Sequence, residues 1–243
     1  MTLHPFYLFS LCNDLNQFYH FMVGMSILSS LYDKRDCAIP SPLRIISAEA
    51  MEVNYQDYKD ARDASWRILI DCKVTELPVK ISGVCRALGV SVRRYTPAER
   101  DNNDGMSTVI GGAPTIMVSS LAIPARQRFT CAHELGHIIL GHVGRYDLVC
   151  REPAPDDNPI EQAANVFASR LLAPACVLWG CSVQSAEDIE RLCDISRAAA
   201  EFRWTRMQEL YRRQRFLTSP LERLVYDQFA DYIKGHRLPG ADR

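Results

Sequence analysis

Apolar and polar positions alternate along this chain with a spacing that changes from segment to segment, and the changes mark the elements. From residue 54 to about 72, Tyr55, Tyr58, Ala61, Ala64, Trp66 and Ile70 recur at helical intervals and predict an amphipathic helix. Residues 78–88 read as a second helix, opened by Pro78 in its first turn and stopped by Gly89. The period then shortens. Residues 90–95 predict a strand, 97–105 are polar and turn-rich, and 108–110 with 115–119 predict two short strands of a hairpin or meander around Gly111, Gly112 and Pro114. Beyond Pro124 the helical period returns through about Leu140 and ends at Gly141. A Pro- and Asp-rich loop covers 152–159, after which Asn158 and Pro159 stand as N-cap and first residue of a helix that runs to Leu172 and is closed by Pro174. Further helical patterns occupy roughly 186–193, 196–216 and 220–234.

The first fifty residues lack such a period, and a well-patterned stretch opens at Met51. Their apolar run, 18–31, is interrupted by His20, Gly24, Ser26, Ser29 and Ser30 and is shorter than the ~20 residues that span a bilayer. The first basic residue, Lys34, follows the run, whereas a secretory signal carries its positive charge before it. Residues 1–50 are therefore expected to be an N-terminal extension outside the native fold, with no membrane association. Of the 243 residues 47% are hydrophobic and 23% charged, which excludes a disordered chain. The formal net charge of −1 provides no global field to draw the protein to nucleic acid or an anionic membrane. Nine cysteines without a C-x-x-C pair read as reduced thiols, and hence as a cytoplasmic protein.

Chemistry enters at His133-Glu134-Leu135-Gly136-His137, an H-E-x-x-H string inside the helix predicted from Pro124. Residues four apart share a helix face, so both imidazoles can converge on one ion with Glu134 beside the open coordination position. Zinc is the expected ion. A structural zinc site is closed by four protein ligands, while a catalytic one has three ligands and water. Such an ion polarises a scissile carbonyl and acidifies water, leaving Glu134 to take the proton and hand it to the leaving amine. The implied reaction is peptide-bond hydrolysis. The competing reading, a polar helix with two surface histidines, fits poorly with Ala132, Leu135, Ile138, Ile139 and Leu140 around the pair.

The third ligand is open on spacing alone. A metzincin continuation would need Gly and His where Leu140 and Val143 stand, and His142 misses the required place by one residue. A carboxylate on the following helix is the alternative: Glu161, with Asn165 one turn beyond it, placed to orient a ligand imidazole. Glu161 also falls where a capping-box residue belongs, and Glu152, Asp156 and Asp157 compete from the loop.

The string from Arg126 through Arg128, Phe129, His133, Glu134, Gly136 and His137 to His142, followed by Glu161-Gln-Ala-Ala-Asn165-Val-Phe167-Ala168 and Leu171-Leu172-Ala-Pro174, resembles the ImmA/IrrE family of metallopeptidases. The likeness extends from about Val53 to Tyr211. It implies an α+β, zincin-like fold of gluzincin type, with a zinc ion (Zn2+) held by His133, His137 and Glu161 and with Glu134 as general base. The resulting division is an extension at 1–50, a peptidase domain at 51–180 and a helical C-terminal region at 181–243. The resemblance further implies a protein substrate, a helix-turn-helix repressor of a mobile element or stress response. The strand at 115–119, taken as nearest the active helix, is expected to pair with an extended substrate backbone.

Other signals are weaker. Residues 189–207, with Arg197, Arg203 and Arg206 leading on to Arg212, Arg213 and Arg215, could form a helix-turn-helix, which keeps alive a DNA- or protein-binding regulator with only a structural zinc. Glu201 and Glu209 blunt that basic face, and nucleic-acid binding is not favoured. His142 either lines the site or ends its helix as a favourable cation, and Cys131 reads as core packing with redox sensing as the alternative.

Overall fold

The computed structural model describes residues 55–97, 104–143 and 158–238, so the expectation for 1–50 and the loop candidates Glu152, Asp156 and Asp157 lie outside the described residues. The chain divides into two units. The larger comprises Val53–Thr108 and Pro114–Arg243; of the smaller, Met1–Glu52 with Val109–Ala113, the described part is Val109–Ala113, which includes the turn at Gly111 and Gly112. Both glycines have positive φ, 57° and 78°, the backbone that a two-residue hairpin turn needs.

The first helix, α1 (Tyr55–Asp71), follows the predicted period, burying Ala61, Trp66, Ile68 and Leu69. The second, α2 (Ile81–Ala87), starts three residues later than expected. Val79 is drawn into the core, 1% exposed, and Lys80 at the N-cap is non-helical (φ −79°, ψ 80°), so Pro78 precedes the helix rather than opening it. Gly89, at φ 70°, ends it as predicted.

Strands β1 (Ser91–Tyr95), β2 (Gly105–Ile110) and β3 (Ala113–Ser119) form one sheet in the order β1-β3-β2. β1 runs parallel to β3 in register from Ser91 opposite Thr115 to Tyr95 opposite Ser119, while the short turn joins β2 to β3 as a hairpin. This corrects one expectation. β3, the strand assigned to substrate pairing, is central: both its edges are taken by neighbours, and among the described residues the free edges belong to β1 and β2.

Proline at its first turn opens α3 (Pro124–Ile139), and Gly141 at φ 73° ends it. The helix α4 (Pro159–Leu172) is capped as expected, the Asn158 side-chain oxygen accepting from the Ile160 N–H at 3.0 Å. Pro174 closes α4 and also begins an unpredicted helix, α5 (Ala175–Gly180), since a residue without an N–H suits both positions. The continuous stretch Pro159–Gly180 is apolar and long enough by composition to cross a membrane, but its most apolar window is 78% buried inside the protein, as a core helix would be.

Serine caps open α6 (Ala186–Cys193) and α7 (Arg197–Arg213): Ser185 and Ser196 accept from Asp188 and Ala199 N–H groups. α7 stops before the predicted 216, where Gln214 turns left-handed at φ 50°. The predicted helix at 220–234 is broken into α8 (Pro220–Gln228) and α9 (Ala230–His236), because the fully buried Phe229 takes non-helical backbone (φ −93°, ψ 9°) to reach the core.

One core joins α1, α3, α4 and the C-terminal helices through Leu69, Leu135, Phe167, Leu178, Met207 and Phe229. α4 lies between α1 and α3. At its crossing with α3, a Cβ on Gly136 would sit 3.0 Å from the Phe167 ring and 3.3 Å from the Ala164 Cα, so only glycine lets the two helices approach this closely. Arg128 locks the other side of α3: its guanidinium donates to the carbonyls of Asp194 (2.6 Å) and Cys193 (3.0 Å) and pairs with the Asp194 carboxylate. These two fastenings hold α4 against one flank of α3 and the turn into α7 against the other.

Candidate metal centre

The close α3–α4 crossing brings His133, His137 and Glu161 together, with one potential ligand atom from each lying within 4.8 Å of the others. The His133 and His137 Nε2 atoms are 3.0 Å apart; Glu161 places Oε2 3.1 Å from His133 Nε2 and Oε1 3.5 Å from His137 Nε2. The outer ring nitrogens are held separately. His133 Nδ1 donates to Asn165 Oδ1 at 2.9 Å, and His137 Nδ1 shares a hydrogen bond of 3.0 Å with His142 Nδ1. Since Asn165 accepts the hydrogen bond of the His133 Nδ1–H, a neutral His133 ring turns its Nε2 lone pair inward, toward a second imidazole nitrogen and a carboxylate.

Two imidazole nitrogens and a carboxylate in mutual contact hold a positive charge between them, either a proton or a metal cation. Burial acts against a charged His133, yet the hydrogen bond and charge of Glu161, with Glu134 nearby, raise its pKa above the ordinary histidine value. Hydrogen bonds from His133 and then His137 hold Glu161 well below the usual carboxylate range. Two imidazoles and a carboxylate are borderline to hard donors suited to zinc, and the outer bonds to Asn165 and His142 are the kind that fix ligand rings. The residues thus fit a divalent metal by the chemistry of their donors.

Spacing alone left Glu161 between ligand and cap, and the family resemblance implied the ligand. In the structure Asn158 makes the cap, while both Glu161 oxygens face the histidines. His142, left ambiguous by the sequence, is bonded to His137. Cys131 lies in the core, its Sγ 3.8 Å from that of Cys85, and the six described cysteines are all free. The arginines considered for DNA are largely consumed elsewhere. Arg203 is 2% exposed and donates through Nε to the Ala173 carbonyl at 2.8 Å, at the C-terminus of α4. Arg212 and Arg213 both pair with Glu209, and Arg197 with Glu187, Glu190 and Glu201.

A cleft of about 610 Å³ opens beside the cluster, reached by His133, Glu134 and Glu161. Its floor is set by Gly105 at the start of β2, where a Cβ would collide with the Thr130 methyl group at 2.4 Å and the Met117 carbonyl at 2.9 Å. Neither Gly105 nor Arg128 was singled out for a role in the sequence. Their significance depends on what crosses them in space.

The peptidase family described as the IrrE N-terminal-like domain matches residues 85–213, a span that holds the whole cluster. The chain is also similar to the radiation response metalloprotease IrrE of Deinococcus radiodurans, with 40% identity over 91 residues, 35% of this chain and 25% of that protein. The chain thus spans about a quarter of the length of the curated relative it matches.

Proposed function

This chain belongs to the peptidase family of IrrE N-terminal-like domains, and we propose that it is a zinc-dependent endopeptidase of the zincin-like, gluzincin type, acting in the cytoplasm on a helix-turn-helix repressor. The observation that carries the reading is the convergence of His133, His137 and Glu161 beside an open cleft lined by His133, Glu161 and Glu134. These three residues are assigned as the metal ligands. Zinc bound there supplies Lewis acidity toward a peptide carbonyl and makes nearby water more acidic at neutral pH. Glu134 acts as general base, accepting a proton from the attacking water and delivering it to the departing amine nitrogen. Asn165 and His142 keep the imidazoles turned toward the site through their Nδ1 atoms. β2, with a free edge that begins at the cleft, replaces β3 as the strand that lines up the substrate backbone.

The alternative of a DNA-reading regulator finds no comparable support, because its basic helix spends Arg203 on the core and Arg212 and Arg213 on Glu209. Co-expression of the full chain with the helix-turn-helix repressor encoded nearest to it tests the proposal. Zinc should copurify at one ion per chain, and the repressor should appear as two fragments on a gel, intact again when a chelator is present. A zinc-loaded chain that leaves this repressor and unfolded protein substrates uncut would overturn the assignment.

A further inference from the structure

The cleft beside the metal cluster has a mixed lining. Ile123, Phe129 and Ile195 contribute large apolar groups to its wall, with the small Ala125 and Ala199 beside them. Phe129 ties this wall to the reacting centre: its ring centroid is 6.4 Å from that of His133. Besides Glu134 and Glu161, the charged groups in the lining are Asp104 and Arg126, which are bonded to each other, Nε to Oδ2 at 2.6 Å. Ile123 is 64% exposed, an uncommon place for a large aliphatic residue, and Phe202, one turn beyond Ala199 on α7, is 74% exposed. Two of the most exposed large apolar residues of the described chain therefore stand on, or one turn from, the same wall.

We propose that Ile123, Phe129, Ile195 and Ala199 form the specificity subsite, which takes a large apolar side chain of the protein substrate next to the bond that is cut. This rests on the endopeptidase reading above. A substrate leucine or phenylalanine displaces water from the wall and covers Ile123, whereas a charged side chain would lose its hydration against these apolar groups. Ala199 sets the size of the pocket, since any larger residue there projects into the same space. The subsite also commits to how substrate is presented: apolar residues are buried in a folded protein, so the bond cut lies in an exposed or locally opened segment.

The zinc-loaded full chain is offered a library of short unstructured peptides covering all residue types, and the cut positions are read by mass spectrometry. Peptides with Leu, Phe or Met beside the cut bond should be favoured over those with Asp or Lys by at least about thirty-fold in kcat/KM, within the range of hydrophobic-pocket discrimination. Ala199→Phe should lower cleavage of the Leu and Phe peptides about ten-fold or more, with alanine peptides changed much less. Ile123→Asp provides a second variant at a position exposed enough to leave the fold intact; it should weaken binding of a fluorescent Leu peptide to a Glu134→Gln background, read by anisotropy. Zinc content should be unchanged in each. Cleavage without residue preference, or with a preference that neither variant alters, would overturn the subsite and leave the peptidase standing. No cleavage of any peptide or unfolded protein would remove the peptidase reading and the subsite with it.

Discussion

The α3–α4 crossing and the arginine-rich helix α7 both carry ionisable side chains at helical spacing, yet they meet opposite fates. At the crossing, His133, His137 and Glu161 turn acceptor atoms toward one another, and the neighbouring bonds to Asn165 and His142 sustain that orientation rather than relieve it. On α7, Arg203 runs inward to a backbone carbonyl left over at the end of α4, and Arg212 and Arg213 share Glu209. The arginine charges are mostly tied up one by one by carboxylates and a backbone carbonyl, whereas at the crossing two imidazoles and a carboxylate from two helices converge on one another beside a cleft. A functional cluster is thus told from an architectural one by the convergence of its ligand atoms, and not by the density of charge in the sequence.

Substitutions on both sides probe that contrast, in order of expected effect. Glu134→Gln keeps the shape of the side chain and loses the base, so peptide cleavage should fall by about 10²–10⁴-fold with zinc content near wild type. Cleavage at the wild-type rate would remove Glu134 from the chemistry, and loss of zinc would make it structural.

Glu161→Ala should strip the site of metal, since a third ligand is lost outright, while Asn165→Ala should weaken binding by only about 10–100-fold through the freed His133 ring. Titration against a competing chelator ranks the two. Glu152→Ala and Asp157→Ala should bind as the wild type does; if they lose zinc as readily as Glu161→Ala, the ligand lies in the loop.

Arg203→Ala addresses the other half of the comparison. It leaves the Ala173 carbonyl without its donor and opens space in the core, and should cost about 1–3 kcal/mol of folding stability, measured as a lowered denaturant midpoint, with metal affinity unchanged. An unaltered midpoint would mean that the buried guanidinium, which burial lowers to a pKa of about 10 and whose Nη2 has no partner, costs as much as it contributes.

The smallest effect belongs to Arg212→Ala and Arg213→Ala, solvent-exposed partners of Glu209. Each should change stability by no more than about 0.5 kcal/mol, and neither should alter duplex DNA affinity, which should be weak in the wild type. Sub-micromolar binding that falls steeply with salt would return α7 to the role of a nucleic-acid surface.

Much of this was legible in the residues themselves. Helical period, Asn158 as a cap, and Gly89 and Gly141 as stops are local properties, written within a turn or two of where they act. The i,i+4 spacing placed His133 and His137 on one face, and the resemblance of the surrounding string to a known family pointed to Glu161 before any contact between the helices was visible. What lay beyond the sequence depends on partners far away along the chain. The parallel pairing of β1 with β3 puts β3 in the middle of the sheet and shifts the free edge to β2, a matter of topology that no strand pattern encodes. Arg203 reads as a surface cation until α7 folds against the end of α4. Gly136 and Gly105 read as weak points until a helix and a strand are seen pressing against them. Sequence by itself determined which groups could ligate, cap or turn, because those are properties of side chains and local backbone. Which of them face each other, and so which converge on one site, was decided only by tertiary packing, because convergence is a relation between atoms that the chain brings together from distant positions.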